Sequence, residues 1–164
     1  MRIASKHIIR FVLVVLIQVI LLNNLYLSNF CNPYIYIFFL LSLPANSPRW
    51  LDLLLGFMLG MTIDIFSNTM GMHTFATVFI AYIRYFIIKL LVSDEEKLTK
   101  IPSFENIGMN SYIKYMLILT ALHHTTLFFL EAFSLTNLLN TILCIIISTV
   151  VSMCFMLTTQ FGRK

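Results

Sequence analysis

The fold is decided by residues 50–85, WLDLLLGFMLGMTIDIFSNTMGMHTFATVFIAYIRY, in which a short polar turn joins two apolar runs. In the first run Asp52, Gly56, Gly60 and Asp64 follow one another at intervals of four. Residues with this spacing share one face of a helix, and glycines on that face allow another helix to approach closely. Two carboxylates are costly in contact with lipid. We therefore expect this stripe to face a neighbouring helix, a partner protein or a cavity.

The composition is that of a membrane protein. Hydrophobic residues make up 59% of the 164 residues and charged residues only 11%, and the mean hydropathy is +0.89. A soluble domain has about 25% charged residues, so this chain has too few to cover a surface in water. The net charge of +4 comes from scattered basic residues. Because no basic aromatic groove accompanies them, no nucleic-acid partner is predicted.

Hydropathy predicts one all-α membrane domain, 1–164, with six transmembrane helices. Their expected bounds are roughly 8–27, 32–46, 50–66, 73–92, 112–131 and 137–158. Asn32 and Pro33 are a suitable N-cap and first helical residue for the second helix. Its apolar part, 34–43, covers only about 15 Å, half of a typical bilayer core. On length alone this helix either spans the membrane or re-enters on the same side.

The distribution of basic residues predicts the topology. With six spans and both termini in the cytoplasm, ten of the eleven Lys and Arg residues fall in cytoplasmic segments and none falls in the outer turns. If the second helix did not span, Arg49 and the Lys89 to Lys114 cluster would lie outside, against the positive-inside rule. We therefore expect the short helix to cross, with local thinning of the bilayer.

Arg84 is the remaining basic residue and lies within the fourth helix. If the hairpin folds about residue 70, Arg84 lies level with Gly56, one turn from Asp52 and two turns from Asp64. An arginine side chain can extend by one turn towards the membrane surface. The register therefore predicts an ion pair between Arg84 and Asp52. The alternative is an Arg84 that reaches the lipid head groups alone.

Asp64 lies about one turn from the outer end of its helix, which leaves two interpretations. In the first interpretation it has a specific role, as a structural anchor or as part of an outward-facing pocket, and Ser67, Asn68 and His73 are possible hydrogen-bond donors to it. In the other interpretation it is an interfacial carboxylate that remains in contact with water, because the cost of burying a charge falls near the interface.

His123 and His124 lie in the middle of the fifth helix. Adjacent side chains point about 100° apart on a helix, so they cannot bind one metal ion from one face. We expect them to form hydrogen bonds between helices instead.

No catalytic or metal-binding residues are predicted, and no cofactor. The chain contains no H-E-x-x-H, no G-x-S-x-G and no phosphate-binding glycine loop. The three cysteines form no C-x-x-C pair, and their odd number argues against a disulfide framework. We expect them to be small buried apolar residues.

Residues 32–85 contain a series of short motifs. They are Asn32-Pro33-Tyr34-Ile35-Tyr36, Pro48-x-Trp50, Gly56-Phe57-x-x-Gly60-x-x-x-Asp64-Ile65-Phe66, Gly71-x-His73 and Ala81-Tyr82-x-Arg84. These motifs resemble those of the rod shape-determining protein MreD family, in its Bacteroidetes form. Outside this region the resemblance is in hydropathy, six apolar runs and a basic N-terminus.

This resemblance implies a non-catalytic, multi-pass scaffold in the bacterial inner membrane. Such proteins act in the cell-elongation complex, with the bitopic protein MreC, the actin homologue MreB, the glycosyltransferase RodA and a penicillin-binding transpeptidase. The family is thought to be similar in helical arrangement to the substrate-binding subunits of energy-coupling-factor vitamin transporters. A small-molecule-binding transporter subunit is therefore the alternative function.

The scaffold interpretation predicts where a partner docks. The single transmembrane helix of MreC would pack against the hairpin, with Gly56, Gly60, Asp64 and Gly71 as partner-binding or helix-packing residues. A stripe of small residues suits such a contact, since it lets two backbones approach.

Overall fold

The computed structural model describes residues 2–23, 32–92, 100–133 and 137–161, and all regular structure within these ranges is helical. Four of the helices are long and apolar enough to cross a membrane. In chain order the helices are α1 (Arg2–Leu16), which continues as a π-helical stretch (Ile17–Leu22), then α2 (Phe38–Leu41), α3 (Arg49–Ser67), α4 (Met72–Leu91), α5 (Phe104–Ile107), α6 (Met109–Ala132) and α7 (Leu138–Phe161).

The four long helices, α3, α4, α6 and α7, pack in chain order. Helix α3 lies along α4, α4 along α6, and α6 along α7. Their bounds lie within three residues of those expected from hydropathy for the third, fourth, fifth and sixth helices. The first helix ends at Leu22 in the structure, and residues 24–27 of its expected range lie outside the described residues.

The second predicted helix is wrong in its secondary structure. Residues 32–35 have no regular secondary structure, a turn follows, and only Phe38–Leu41 is α-helical. We call residues 33–44 the crossing segment because they cross the interior of the helical bundle. It is enclosed by the helices rather than exposed: Tyr36, Ile37 and Leu40 have no exposed surface at all. Side chains of the surrounding helices form hydrogen bonds with its backbone, so the segment does not have to be helical to satisfy its backbone N–H and C=O groups.

The crossing segment runs along most of the length of α6. At one end the Tyr34 hydroxyl donates to Glu131 Oε1 at 3.2 Å. At the other end the Tyr115 hydroxyl donates to the Leu41 carbonyl at 3.1 Å. Glu131 and Tyr115 are sixteen residues apart on α6, which is about 24 Å at 1.5 Å per residue.

Gln18 joins α1 to the start of the crossing segment. Its side chain is fully buried in the π-helical stretch. Its Oε1 accepts from the Ile35 backbone N–H at 2.9 Å, and its Nε2 donates to the Pro33 carbonyl at 3.3 Å. One amide side chain thus replaces two backbone hydrogen bonds that a helix would have made internally.

The cysteines differ from expectation at two positions, and Cys31 lies outside the described residues. Cys144 is buried, as expected, but it takes part in a disulfide bond. Cys154 is free and exposed on α7. An odd number of cysteines therefore did not exclude a disulfide here.

Candidate functional site

Two groups of buried polar side chains hold the crossing segment, one near each end. The arginine cluster consists of Arg84, Asp52, Tyr115 and Ser47. The histidine cluster consists of Tyr34, Tyr36, His73, His123, His124 and Thr149.

The arginine cluster is centred on a buried ion pair. Arg84 Nη1 lies 2.7 Å from Asp52 Oδ2, and the two side chains are 1% and 6% exposed. Arg84 does pair with Asp52, as the hairpin register predicts. Ser47 Oγ donates to the other carboxylate oxygen, Oδ1, at 2.5 Å. The carboxylate therefore has a donor on each oxygen, which a buried charge requires.

The Arg84 guanidinium also holds the end of the crossing segment. Its Nε donates to the Tyr115 hydroxyl at 2.8 Å, and its Nη2 donates to the carbonyls of Leu43 and, at 3.1 Å, Pro44. These carbonyls follow the last helical turn of α2, and within the described chain neither accepts a hydrogen bond from the backbone N–H of a helical residue. Arg84 is thus a structural residue that ties α4 to α3, α6 and the crossing segment. The interpretation in which it reaches the head groups alone is wrong.

In the histidine cluster, one tyrosine hydroxyl bridges two imidazoles. The Tyr36 hydroxyl lies 2.9 Å from His73 Nδ1 and 2.8 Å from His123 Nε2. A hydroxyl has one proton, so it donates to one ring and accepts an N–H from the other. The tautomers of the two histidines are therefore linked through Tyr36.

His124 makes a separate set of bonds. Its Nδ1 lies 3.3 Å from Thr149 Oγ1 on α7, and its Nε2 accepts from the Tyr34 backbone N–H at 3.3 Å. The adjacent histidines thus serve different neighbours, as their angular separation on a helix predicts. His124 forms the interhelical bond that the sequence suggested, whereas His123 bonds to the crossing segment.

Three buried polar atoms close to this cluster have no hydrogen-bond partner within the described chain. They are His123 Nδ1 on α6 and the hydroxyls of Ser148 and Ser152 on α7. The Thr120 hydroxyl and Met156 Sδ are 4.0 Å apart, so His123, one turn from Thr120, lies at about the level of Ser152. Buried polar atoms of this kind are normally bonded to water or to a ligand.

Asp64 is a structural anchor, not a solvated interfacial carboxylate. It accepts hydrogen bonds from the backbone N–H groups of His73 at 3.1 Å and Thr74 at 2.8 Å. The hydroxyls of Thr69 and Thr74 each donate to it at 2.5 Å. Asp64 therefore caps the N-terminus of α4 from the preceding helix, where a negative charge also meets the positive end of the helix dipole.

The donors to Asp64 differ in part from those expected. Of the three expected donors only His73 donates to the carboxylate, through its backbone N–H, while its ring bonds to Tyr36. The Ser67 hydroxyl instead accepts from Asn23 Nδ2 at 3.1 Å. The backbone N–H of Asn68 bonds to the Asp64 carbonyl, which closes the C-terminus of α3.

The glycine stripe is an internal packing surface, which is the helix-packing alternative of the prediction. A Cβ on Gly60 would lie 2.2 Å from Thr77 Oγ1 and 2.4 Å from Thr74 Cα. A Cβ on Gly56 would lie 3.1 Å from Ala81 Cβ. Both glycines are covered by α4 of the same chain, so no other helix can reach them.

Gly71 is also not a packing residue. It precedes α4 with φ +82°, and a Cβ there would meet nothing within 4 Å. Its role is in the backbone, because this left-handed conformation is unfavourable for residues with a side chain. Gly71 allows the chain to turn sharply so that Asp64 reaches the first turn of α4.

Sequence reasoning missed the side chains that hold the crossing segment in place, chiefly Gln18, Tyr115 and the segment's own Tyr36. All three are fully buried or nearly so. A polar group in the middle of an apolar run was the available signal, since such groups have to find a partner inside the protein. Among residues 7–159 that are described, no group of three or more His, Cys, Asp or Glu side chains is arranged to hold a metal ion.

Comparisons with protein-family models, curated proteins and solved structures found no match to this chain. The resemblance to MreD therefore remains a prediction that rests on the sequence motifs. The all-helical architecture and the four long apolar helices rest on the structure itself.

Proposed function

We propose that this chain is a non-catalytic scaffold of the bacterial inner membrane, acting in the cell-elongation complex as an MreD-like protein. Its partners would be an MreC-like bitopic protein, MreB, RodA and a penicillin-binding transpeptidase. The motif Asn32-Pro33-Tyr34-Ile35-Tyr36 and the hairpin motifs support this proposal through their resemblance to the family.

One structural observation supports a scaffold in particular: the buried charged and aromatic polar groups bond one another. Arg84 has four acceptors, Asp64 has four donors, and the Tyr36 hydroxyl lies between two imidazoles. A transporter subunit needs such groups directed into a pocket. Here they fasten helices to one another and to the crossing segment, which favours a rigid body that presents its outer surface to partners.

The proposed topology has six crossings with both termini in the cytoplasm. It is supported by the position of charges at the two ends of the bundle. Arg10 donates to the Ser42 carbonyl, and the Lys100 carbonyl accepts from Ala45, so both basic residues lie at the Arg84 end of the crossing segment. Asp64 and Glu131 lie at the opposite end, where α3 meets α4 and α6 ends. By the positive-inside rule the basic end is cytoplasmic.

The docking site for the partner helix is not the glycine stripe, which α4 covers. The exposed side of α3 carries Phe57, Met61 and Ile65 at intervals of four, each about half exposed or more. This ridge faces away from α4 and contacts either lipid or a partner helix.

The test is purification of the tagged protein from its host in mild detergent, with mass spectrometry of the proteins that accompany it. Recovery of an MreC-like protein with wall-synthesis proteins, absent from an untagged strain, is the expected result. A scaffold role is contradicted if an ATPase with a coupling subunit is recovered and the MreC-like protein is not.

The small-molecule-binding transporter subunit remains the second candidate because of one observation. His123 Nδ1, Ser148 Oγ and Ser152 Oγ are buried without a partner in the described chain. Buried polar atoms without a protein partner are what a ligand would use. Native mass spectrometry of the same preparation distinguishes the candidates, since a bound small molecule lost on changing Ser152→Ala would favour the transporter.

A further inference from the structure

An apolar groove lies between α1 and α7, which do not pack against each other along its length. Its volume is about 420 Å³. Eight of its ten lining residues are apolar, and the exceptions are Arg10 and Thr159. The crossing segment forms its floor through Ile35 and Phe38. The groove is therefore open on the side of the bundle that faces lipid and closed towards the core.

The two polar lining residues lie at the same end of the groove. Arg10 Nη1 donates to the Ser42 carbonyl at 3.4 Å, next to the Leu41 carbonyl that Tyr115 holds. Thr159 is one turn beyond Met156, which contacts Thr120, so α7 reaches the level of Tyr115 near Thr159. The groove thus has a polar mouth at the basic end of the bundle and an apolar body that continues to Ile17.

The shape and chemistry of the groove fit a lipid. From Arg10 to Ile17 the groove follows α1 for about 10 Å at 1.5 Å per residue, with Leu13 and Val14 along its wall. A groove of this volume accepts an extended hydrocarbon chain but not a helix about 10 Å across. Arg10 places a positive charge at its mouth, and a planar guanidinium suits a phosphate.

We propose that this groove binds an anionic phospholipid, with one acyl chain between α1 and α7 and its phosphate beside Arg10. Basic pockets between transmembrane helices at the cytoplasmic side are known to suit acidic head groups. The proposal requires that the chain lies in a bilayer, and it does not depend on the scaffold function.

The test is lipid titration of the delipidated, purified full chain in mild detergent, read by native mass spectrometry. The probes are phosphatidylglycerol and phosphatidylcholine with identical acyl chains. For the native chain we expect phosphatidylglycerol to bind about tenfold more tightly, because both lipids offer a phosphate but only phosphatidylglycerol has a net negative charge.

Two variants separate the head-group contact from the acyl-chain contact. Arg10→Gln should remove most of the preference for phosphatidylglycerol, while Lys114→Gln, an exposed basic residue at the same end, should keep it. Leu13→Trp should fill the groove and lower the affinity for both lipids. Its matched control is Val12→Trp: Val12 and Leu13 are neighbours on α1 and are 47% and 52% exposed, but only Leu13 lines the groove.

Folding is checked by the melting temperature of each variant without lipid. If Leu13→Trp is unstable, Ile9→Trp and its control Ile8→Trp provide a second pair, since both are exposed and only Ile9 lines the groove. The proposal is overturned if Arg10→Gln and the groove-filling variants bind lipid as their controls do. It is also overturned if a photo-crosslinker at position 13 captures a protein helix, in membranes, instead of lipid.

Discussion

The Tyr36 hydroxyl lies 2.8 Å from His123 Nε2, which fixes the first part of the crossing segment to the middle of α6. The same oxygen reaches His73 on α4. One side chain from a non-helical segment thus connects the two helices that flank it. This bond matters for the fold because few backbone hydrogen bonds hold residues 32–37.

Removing this hydroxyl should destabilise the protein. Tyr36→Phe leaves His73 Nδ1 and His123 Nε2 without their shared partner in a buried site, which costs about 1–3 kcal/mol in the free energy of unfolding. Chemical denaturation in detergent measures the change. Tyr82→Phe is the control, since Tyr82 is 57% exposed and should change stability little. Equal stability of the two variants would show that the Tyr36 bridge contributes nothing.

The buried ion pair should respond differently to single and double replacement. Asp52→Leu or Arg84→Leu alone leaves one buried charge without its partner, at a cost of about 3–5 kcal/mol. The double variant should cost less than the sum of the two single changes, as measured by the same denaturation experiment. Additive costs would mean that Arg84 and Asp52 do not interact.

Reversing the two charges should not restore stability. In the native chain Arg84 also donates to the carbonyls of Leu43 and Pro44. An aspartate at position 84 would face these carbonyls with no proton to donate. A charge-reversed protein as stable as the native one would show that those two carbonyl bonds are dispensable.

The two glycines of the stripe should differ in their tolerance of alanine. At Gly60 a Cβ would be 2.4 Å from the Thr74 backbone, whereas at Gly56 its nearest contact is 3.1 Å from the Ala81 side chain. Gly60→Ala should therefore force α3 and α4 apart and cost about 1–3 kcal/mol or more. Gly56→Ala is the matched control and should cost less. Thermal unfolding in detergent measures both, and a reversed order would contradict the packing described for this hairpin.

Labelling of single cysteines tests the proposed topology. Met70 is 98% exposed in the turn between α3 and α4, and Lys114 lies exposed near the other end of the bundle. In a Cys154→Ala background, a membrane-impermeant thiol reagent should label Met70→Cys from outside intact cells. Lys114→Cys should react only after the membrane is permeabilised. The opposite result would place the basic end outside.

The sequence predicted the hairpin well because its features are local. Hydropathy located α3 and α4 to within one residue at each end, and the register of the hairpin identified Asp52 as the partner of Arg84. The spacing of Gly56 and Gly60 located a packing face. It did not reveal what covers that face, because a small residue suits contact with a helix of either the same chain or another one.

The crossing segment was mispredicted because its conformation depends on distant residues. Asn32 and Pro33 are typical of a helix start, yet the backbone after them is bonded by Gln18 and His124 instead. Nothing in the periodicity of residues 32–46 indicates these partners, which are more than a dozen residues away in sequence. The turn residue Gly71 was noticed, but its role in backbone conformation appears only with its φ of +82°.

The enclosed, largely non-helical crossing segment has a consequence for biogenesis. A coil with unbonded N–H and C=O groups is not stable in hydrocarbon, so it cannot be released into the bilayer as an independent helix. Its bonding partners include His123, His124 and Tyr115, which are translated well after it. We therefore expect residues 33–44 to reach their final position only after α6 has been inserted. Membrane integration of the first half of this chain would then be completed after that half has been synthesised, and not one segment at a time.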